Sequence, residues 1–532
     1  MSTAAYLPAA RRANRRLTIR RLAAWLVSRA TDPKTGLWLV ISFALVHAVL
    51  WTEILIKLKA AQDVHMDVAE AYAWGQRFLL GYGKHPPLSG WIAGVWFKFF
   101  PVANWSTYAL AMATVSFAMV VCWLIALRVV DRRRAFFTVV MLALYPIFNF
   151  KGFKYNADLA QLVPLPLLVL AYLNAFEKRS VRSGLLLGFA GALALMTKYW
   201  VLTMIGAIGL AALIHPQRLQ FLRSPAPWVG IGTMVVLMIP HLVWLEEVDF
   251  LPLTYAGDVY ALSSRALNVQ LVLGYIGHNL GLLAAPALLG LLALSLSSLS
   301  WRLVRIWSDR PNPELNRAQA LNVWIVQSIV AIGPPLGALA FTVYMKTDWG
   351  IPLFFLVPLA LVAIPRVRMP RMALFTVTAI WLVITVAMLF AAPSIATQEM
   401  ASSHNTASTY AARSELAREL TETWQAKFHS RWAVVAARSD ISEPMTFYSP
   451  DHPAAITPGE VSSGLTSLEE AKRYGFIGVC DTTDPVFLKP CEAWMAEHAK
   501  AAEPLVMTTQ RFFHGHPGPS TVWKVYLVPP AK

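Results

Sequence analysis

The residues best suited to chemistry lie between two long apolar runs, in residues 57–101. Asp63, Asp67, Glu70, Trp74 and Arg77 recur at steps of four, three, four and three. On a helix that spacing puts three carboxylates, an indole and a guanidinium on one face. Gly81-Tyr82-Gly83 and Pro86-Pro87 then break the helix, with Lys84 and His85 at the corner between them. Carboxylates supply base chemistry, while Lys, Arg and His neutralise a phosphate leaving group. Further ionisable residues are Lys154 and Asp158, Lys198 with Tyr199 between two apolar runs, Glu246, Glu247, Asp249, Asp258 and Arg265, and Lys346 with Asp348. A pocket carrying both signs suits a substrate with an anionic head and an apolar tail. Any one of these residues alone is as readily a solvated loop charge, and the three acids are also a candidate divalent-cation site through oxygen ligands.

The elements that must position these residues are membrane spans. The chain has 532 residues, of which 56% are hydrophobic and 14% charged, with a mean hydropathy of +0.50. Apolar runs of about 20 residues, the length that crosses a hydrocarbon core of about 30 Å, recur along residues 36–393. Their backbone must be satisfied inside lipid and they do not alternate apolar with polar, so they predict helices rather than a barrel. The runs fall at 37–56, 105–127, 136–150, 162–176, 185–196, 200–214, 228–245, 271–296, 322–344, 351–364 and 372–392, about eleven spans. The net charge of +16 belongs to span ends rather than to a nucleic-acid surface, and no nucleic-acid partner is expected.

The charges also orient the chain. Arg11, Arg12, Arg15, Arg16, Arg20, Arg21, Arg29 and Lys34 mark residues 1–36 as a basic arm held in the cytoplasm by the positive-inside rule. An amphipathic contact of residues 11–29 with anionic lipid is the alternative use of this charge. No small-residue cleavage site follows a short apolar core. The turns assigned to the inner side carry Arg128 and Arg132–Arg134, Lys178–Arg182, Arg302–Arg310 and Arg366–Arg371, and the acidic loops fall outside. Residues 57–101 then face the outer side, with residues 88–100 as an amphipathic helix at the interface.

From residue 394 onward the composition turns polar, with strand-like RWAVVAARS, MTFYS and VWKVYLV and helical LARELTETWQAKF. Residues 394–532 therefore predict a small α/β domain on the outer side. In an oxidising periplasm Cys480 and Cys491 should pair, two free thiols being the alternative, and Cys122 lies inert within a span. The sequence contains no GxSxG nucleophile elbow, no GxxxxGK[ST] phosphate loop and no zinc-ligand spacing.

Asp67-Val68-Ala69-Glu70, Trp74, Gln76, Leu80, Gly81-Tyr82-Gly83, His85-Pro86-Pro87-Leu88 and Trp91 together resemble the first outer loop of GT-C membrane glycosyltransferases. The resemblance runs to the family 39-like superfamily of protein O-mannosyltransferases and aminoarabinose lipid A transferases. Within it, the rhizobial lipid A and core galacturonosyltransferase-like group is the nearest in kind. Lys154-Tyr155-Asn156-Ala157-Asp158, Leu195-Met196-Thr197-Lys198-Tyr199, residues 240–256 and Asp348-Trp349-Gly350-Ile351-Pro352 carry it through the 37–393 region, and the outer domain more weakly.

The resemblance implies a GT-C fold: a polytopic all-α membrane protein with a C-terminal α/β periplasmic domain in the bacterial inner membrane. It implies an inverting glycosyltransferase that takes a sugar from a polyprenyl (undecaprenyl) phosphate donor and gives it to lipid A, core or another envelope glycan. Asp67 matches the family's loop acid, as base or acceptor-orienting residue. Relatives carry a second acid beside it, where this chain has Val68, so Glu70 is the nearest substitute. Lys84, His85, Lys198 and Arg265 are the candidate donor-phosphate contacts. Asp63, Trp74, Tyr82, Lys154, Asp158, Tyr199, Lys346 and Asp348 are the candidate pocket. No cofactor is required by this reading, with a divalent cation left open. A transporter or flippase of lipid-linked sugars would use the same mixed-charge cavity. A scaffold that had lost its catalytic function would not need the whole acid, His and Lys set.

Overall fold

A computed structural model describes residues 6–297, 307–402, 408–458, 465–500 and 502–531, with backbone alone at 6–17 and 258–259. Arg302 and Arg305, assigned above to an inner turn, and the Asp258 side chain lie outside the described residues.

Among the described residues, seven helices are long and apolar enough to cross a bilayer: Gly36–Leu58, Asn104–Val129, Ala157–Lys178, Pro225–Glu247, Arg265–Leu296, Arg317–Phe341 and Ala373–Ala401. The run at 136–150 is Arg132–Leu144 followed by Pro146–Phe153, bent by 79°, and makes an eighth if counted as one span. Pro146 removes a donor at the bend, and neighbouring polar groups take up the freed carbonyls. Asn149 Nδ2 donates to the carbonyls of Ala143 and Tyr145, 3.1 Å each. His47, buried in the first span, bonds Phe148 O at 2.7 Å through Nε2.

The other three expected spans differ from the simple picture. Val181–Leu195 and Tyr199–Ile214 are short apolar helices. Fifteen residues rise about 22 Å, less than the hydrocarbon thickness, so the corner between them at Lys198 stops short of a full crossing. The run at 351–364 is not a helix of spanning length: its regular parts are the turn Thr347–Gly350, which leads into it, and the helix Val357–Val362. It still joins opposite ends of the bundle, because Asp348 meets Lys154 at one end and Val367 O accepts from Arg134 at the other. Ile351, Leu353, Phe354, Phe355 and Leu356 are all buried. This run is apolar because protein surrounds it, and irregular backbone is tolerated at membrane depth only in that setting.

The arginine-bearing turns gather at one end of the bundle. Arg128 pairs with Glu177 at 3.3 Å, Arg134 Nη2 reaches Val367 O at 3.0 Å, and Asn316 N donates to Val129 O. The residue 57–101 loop caps the opposite end. Its helix is Met66–Gly75, and Leu88–Phe99 forms the expected second helix. His65 caps the first helix by accepting from Asp67 N at 3.2 Å. Asp63 therefore precedes the helix and Arg77 follows it, so the five-residue face is shorter than the spacing suggests.

The C-terminal domain sits on this same end. Its sheet runs β2-β1-β3-β5-β4, from β1 (Val434–Ala436), β2 (Ala454–Ile456), β3 (Phe476–Asp481), β4 (Leu505–Phe513) and β5 (His516–Val528). The β1–β2 and β1–β3 pairs are parallel, and β5 is antiparallel to both β3 and β4. MTFYS is not a strand: it ends the helix Ser439–Tyr448. Both faces of that helix are buried, which mimics strand alternation over so short a stretch. Ile441 and Met445 enter the sheet core, while Phe447 packs on Val68, Ala69 and Tyr72 of the loop helix. Cys480 and Cys491 form a disulfide, and Cys122 is a buried free thiol.

Candidate active site

Five chain segments converge above the spans: the loop helix, the Lys84-His85 corner, residues 154–158, the Lys198 corner and the Lys346–Trp349 turn. Backbone and side-chain bonds lock them together. Leu88 N donates to Met196 O at 2.7 Å, and Tyr155 Oη donates to Ser89 O at 3.1 Å. Trp200 Nε1 donates to Trp349 O at 2.9 Å. Tyr199 Oη lies 3.1 Å from His241 Nε2, and His241 Nδ1 lies 2.7 Å from Leu80 O. The carbonyl can only accept, so Nδ1 carries the proton and Tyr199 donates to Nε2.

Asp67 lies at the centre. Its Oδ2 accepts from Asn156 Nδ2 at 3.0 Å and faces Lys154 Nζ at 3.3 Å. Asn156 uses its own Oδ1 to cap the turn Ala157–Ala160, which fixes the donor. Burial pushes the Asp67 carboxyl upward, but Lys154, His65, Asn156 and Lys346 outweigh it and hold the group well below the usual carboxylate range. Burial pushes His65 down to about 4, against the opposing charge of Asp67. His65 is therefore neutral near pH 7, and its Nδ1 is already an acceptor. The 3.5 Å approach of that atom to Asp67 Oδ1 is a contact between two lone pairs, so Oδ1 is the unclaimed oxygen of the carboxylate.

Lys154 bridges Asp67 and Asp348, the latter at 3.4 Å. Burial opposes its charge, yet the Asp67, Asp348 and Asp158 carboxylates raise its pKa overall. Lys198 pairs with buried Asp158 at 2.6 Å and lies over the Trp349 ring at 5.7 Å. Lys84 pairs with Glu70 at 2.5 Å. There too burial is overridden, by Glu70 and by Glu443 of the C-terminal domain, and the ammonium is held above its ordinary range. Glu70 is thus the counterion of Lys84. His85, half-buried, is driven well below its ordinary value by burial and then by Lys198 and Lys84. Near pH 7 it is a neutral hydrogen-bonding group rather than a cation. Lys346 is half-buried, and its charge is felt by Asp67 and His85. Among the described residues its ammonium makes no hydrogen bond or ion pair.

Other residues named from sequence stand elsewhere. Asp63 turns to the C-terminal domain, where Arg511 Nη2 meets Oδ1 at 2.5 Å and Ser414 N meets Oδ2 at 3.3 Å. Trp74 and Tyr82 stack at 4.9 Å, and the Tyr82 hydroxyl donates to the carbonyls of Trp74 and Arg77. Both are buried supports of the corner. Exposed Arg265 donates to Thr342 Oγ1 at 2.8 Å. Among the described residues no three His, Cys, Asp or Glu converge on a metal position. The three loop acids face Arg511, Lys154 and Lys84 instead, so they do not fit a shared cation. Asn156, His65 and Glu443 were missed. Asn156 sits inside the recognised 154–158 motif, whereas nothing local to residue 443 points to the loop.

Residues 84–244 match the family model described as dolichyl-phosphate-mannose-protein mannosyltransferase. The chain is 22% identical over 313 residues to the lipid A galacturonosyltransferase RgtD of Rhizobium johnstonii, covering 57% of this chain and 60% of that protein. It is 25% identical over 242 residues to the lipopolysaccharide core galacturonosyltransferase RgtB of the same organism, covering 43% and 48%. The matched stretch is thus less than two thirds of either relative. The crystal structure of apo ArnT from Cupriavidus metallidurans superposes with a TM-score of 0.57 at 13% identity, over 93% of this chain and 98% of that one. In fold the chain is ArnT-like, and in sequence it resembles the GT-C membrane glycosyltransferases that include these rhizobial lipid A and core transferases.

Proposed function

We propose that the chain transfers a sugar from a polyprenyl phosphate donor to a lipid A, core or related envelope acceptor, with inversion at the anomeric carbon. The observation that carries this is the oriented Asp67 carboxylate, with Oδ1 unclaimed, facing a group of lysines. The relatives' named activities on lipid A and core support the acceptor class.

The acceptor hydroxyl attacks the anomeric carbon as the bond from that carbon to the phosphate oxygen breaks, and polyprenyl phosphate departs with the bonding pair. Asp67 Oδ1 accepts the hydroxyl hydrogen bond, orients the attack and takes the hydroxyl proton as the new glycosidic bond forms. In the resting site Lys154 keeps Asp67 a weak base. A phosphate that draws Lys154 away raises the proton affinity of Asp67, so donor binding itself prepares the base. Lys346 is the readiest cation for the phosphate, and Lys84 and Lys198 exchange part of their pairing with Glu70 and Asp158 for it. Neutral His85 contributes a hydrogen bond. The leaving phosphate gains charge in the transition state, so these contacts strengthen there.

The disulfide-bearing domain packs over this loop, which favours the periplasmic face of the inner membrane as the side of reaction. The test is purified protein with sugar-charged polyprenyl phosphate and lipid A, read by mass spectrometry. A mass gain of one sugar on the acceptor supports the reading. Movement of intact donor across the bilayer with no new glycosidic bond would replace it with a flippase.

A further inference from the structure

The proposed reaction makes no use of the N-terminal arm. Residues 1–31 carry seven arginines and no acid. Residues Tyr6–Thr31 form one helix of 26 residues. It joins the first span through a short, bonded turn: Thr35 Oγ1 donates to Arg29 O and Asp32 Oδ2, 3.0 Å each, and Gly36 N donates to Asp32 O at 2.9 Å. The turn fixes the helix at the end of the bundle where Gly36 approaches Arg132.

Residues 19, 23, 26 and 30 follow the i, i+4, i+7, i+11 spacing of one helical stripe. Ala23, Leu26 and Ala30 are buried against the bundle, but Ile19 on the same stripe is 43% exposed. The protein beneath the stripe ends between Ile19 and Ala23 while the helix continues. Leu22 and Trp25, beside the stripe, are 51% and 53% exposed. Arg20 and Arg21 are exposed as well; at about 3.6 residues per turn Arg21 stands next to Trp25 and Arg20 borders the stripe on its other edge. A helix that leaves the bundle edge at a span terminus, with an uncovered apolar side and arginines flanking it, matches a bilayer surface in both respects. The apolar residues enter the headgroup boundary, and the guanidiniums reach phosphates.

We propose that Tyr6–Thr31 lies on the membrane surface at the Gly36 end and binds anionic phospholipid headgroups there. This goes beyond sugar transfer and does not depend on it. The occupant is lipid rather than a second protein because the helix leads directly into a first span whose Leu37, Trp38, Leu45 and Val46 are exposed apolar residues, and residues 1–31 carry positive charge alone.

The test uses full-length protein in nanodiscs with an environment-sensitive fluorophore at Leu22→Cys. Cys122 is buried and Cys480 is disulfide-bonded to Cys491, so labelling is selective without reductant. Discs are phosphatidylcholine alone, or phosphatidylcholine with phosphatidylglycerol, each with and without doxyl lipid. The expected result is a blue shift and doxyl quenching that grow with phosphatidylglycerol, and loss of that growth in Arg20→Gln/Arg21→Gln. A label at Ala24→Cys, exposed and about 160° round the helix from Leu22, should stay solvent-like. Equal Leu22 signals in both lipids would overturn the proposal, as would a phosphatidylglycerol response unchanged by the arginine substitutions.

Discussion

Lys154 Nζ lies 3.3 Å from Asp67 Oδ2, joining residues from two different loops at the same end of the bundle. This ion pair sets the resting state of the carboxylate, because it opposes the upward push of burial. Removing the ammonium should return the Asp67 carboxyl toward or above its ordinary range. An opposite charge at this range is worth about one to three pKa units. In Lys154→Met the acid limb of kcat/KM against pH should therefore move to higher pH, along with a lower plateau. An acid limb that stays in place would remove Lys154 from the control of Asp67.

His65 gives a stability prediction of definite sign. Its folded pKa is lowered to about 4 from 6.5. Its neutral form thus contributes stability that is fully present above about 6.5 and is lost as pH falls through about 4. Melting temperature should drop across that window, and His65→Asn, which keeps a capping oxygen, should drop less. Parallel melting curves for the two proteins would contradict this.

Asp63 and Arg511 are both largely buried and pair at 2.5 Å between the loop and the C-terminal domain. Arg511→Met leaves an unpaired buried carboxylate, which costs about 3–5 kcal/mol. Adding Asp63→Asn should restore a large part of that loss. Chemical denaturation of the two single variants and the double variant measures the coupling.

Gly81 faces the Trp244 ring so closely that an added Cβ would stand 2.1 Å from it. Gly81→Ala should destabilise the corner by about 1–3 kcal/mol through overpacking. Trp244→Leu should relieve it in the double variant, and thermal unfolding of both provides the check.

The sequence was informative wherever a physical requirement is local. Apolar length marked the spans, the glycine and proline punctuation marked the Lys84-His85 corner, and charges too costly for lipid marked Lys154, Asp158, Lys198 and Asp348. Partner choice was not local. Asp63 appeared to share a helix face with Asp67, but the His65 cap starts the helix after it, and its partner is 448 residues away. The run at 351–364 looked like a span because a segment buried in protein is as apolar as one buried in lipid. The strand-like MTFYS became helical because two different partners bury its two faces. Asn156, a neutral side chain, left no signal beyond its place in a motif, yet it aims the central carboxylate.

On the proposed mechanism Asp67 orients and activates an acceptor hydroxyl beside a lysine-bound donor phosphate. The most direct measurement is the single-turnover transfer rate of Asp67→Asn, with polyprenyl phosphate binding measured on the same preparation. The expected result is a loss of roughly a hundred- to ten-thousand-fold in rate, the usual contribution of acid–base catalysis, with donor binding kept. Transfer at the wild-type rate by that variant would contradict it.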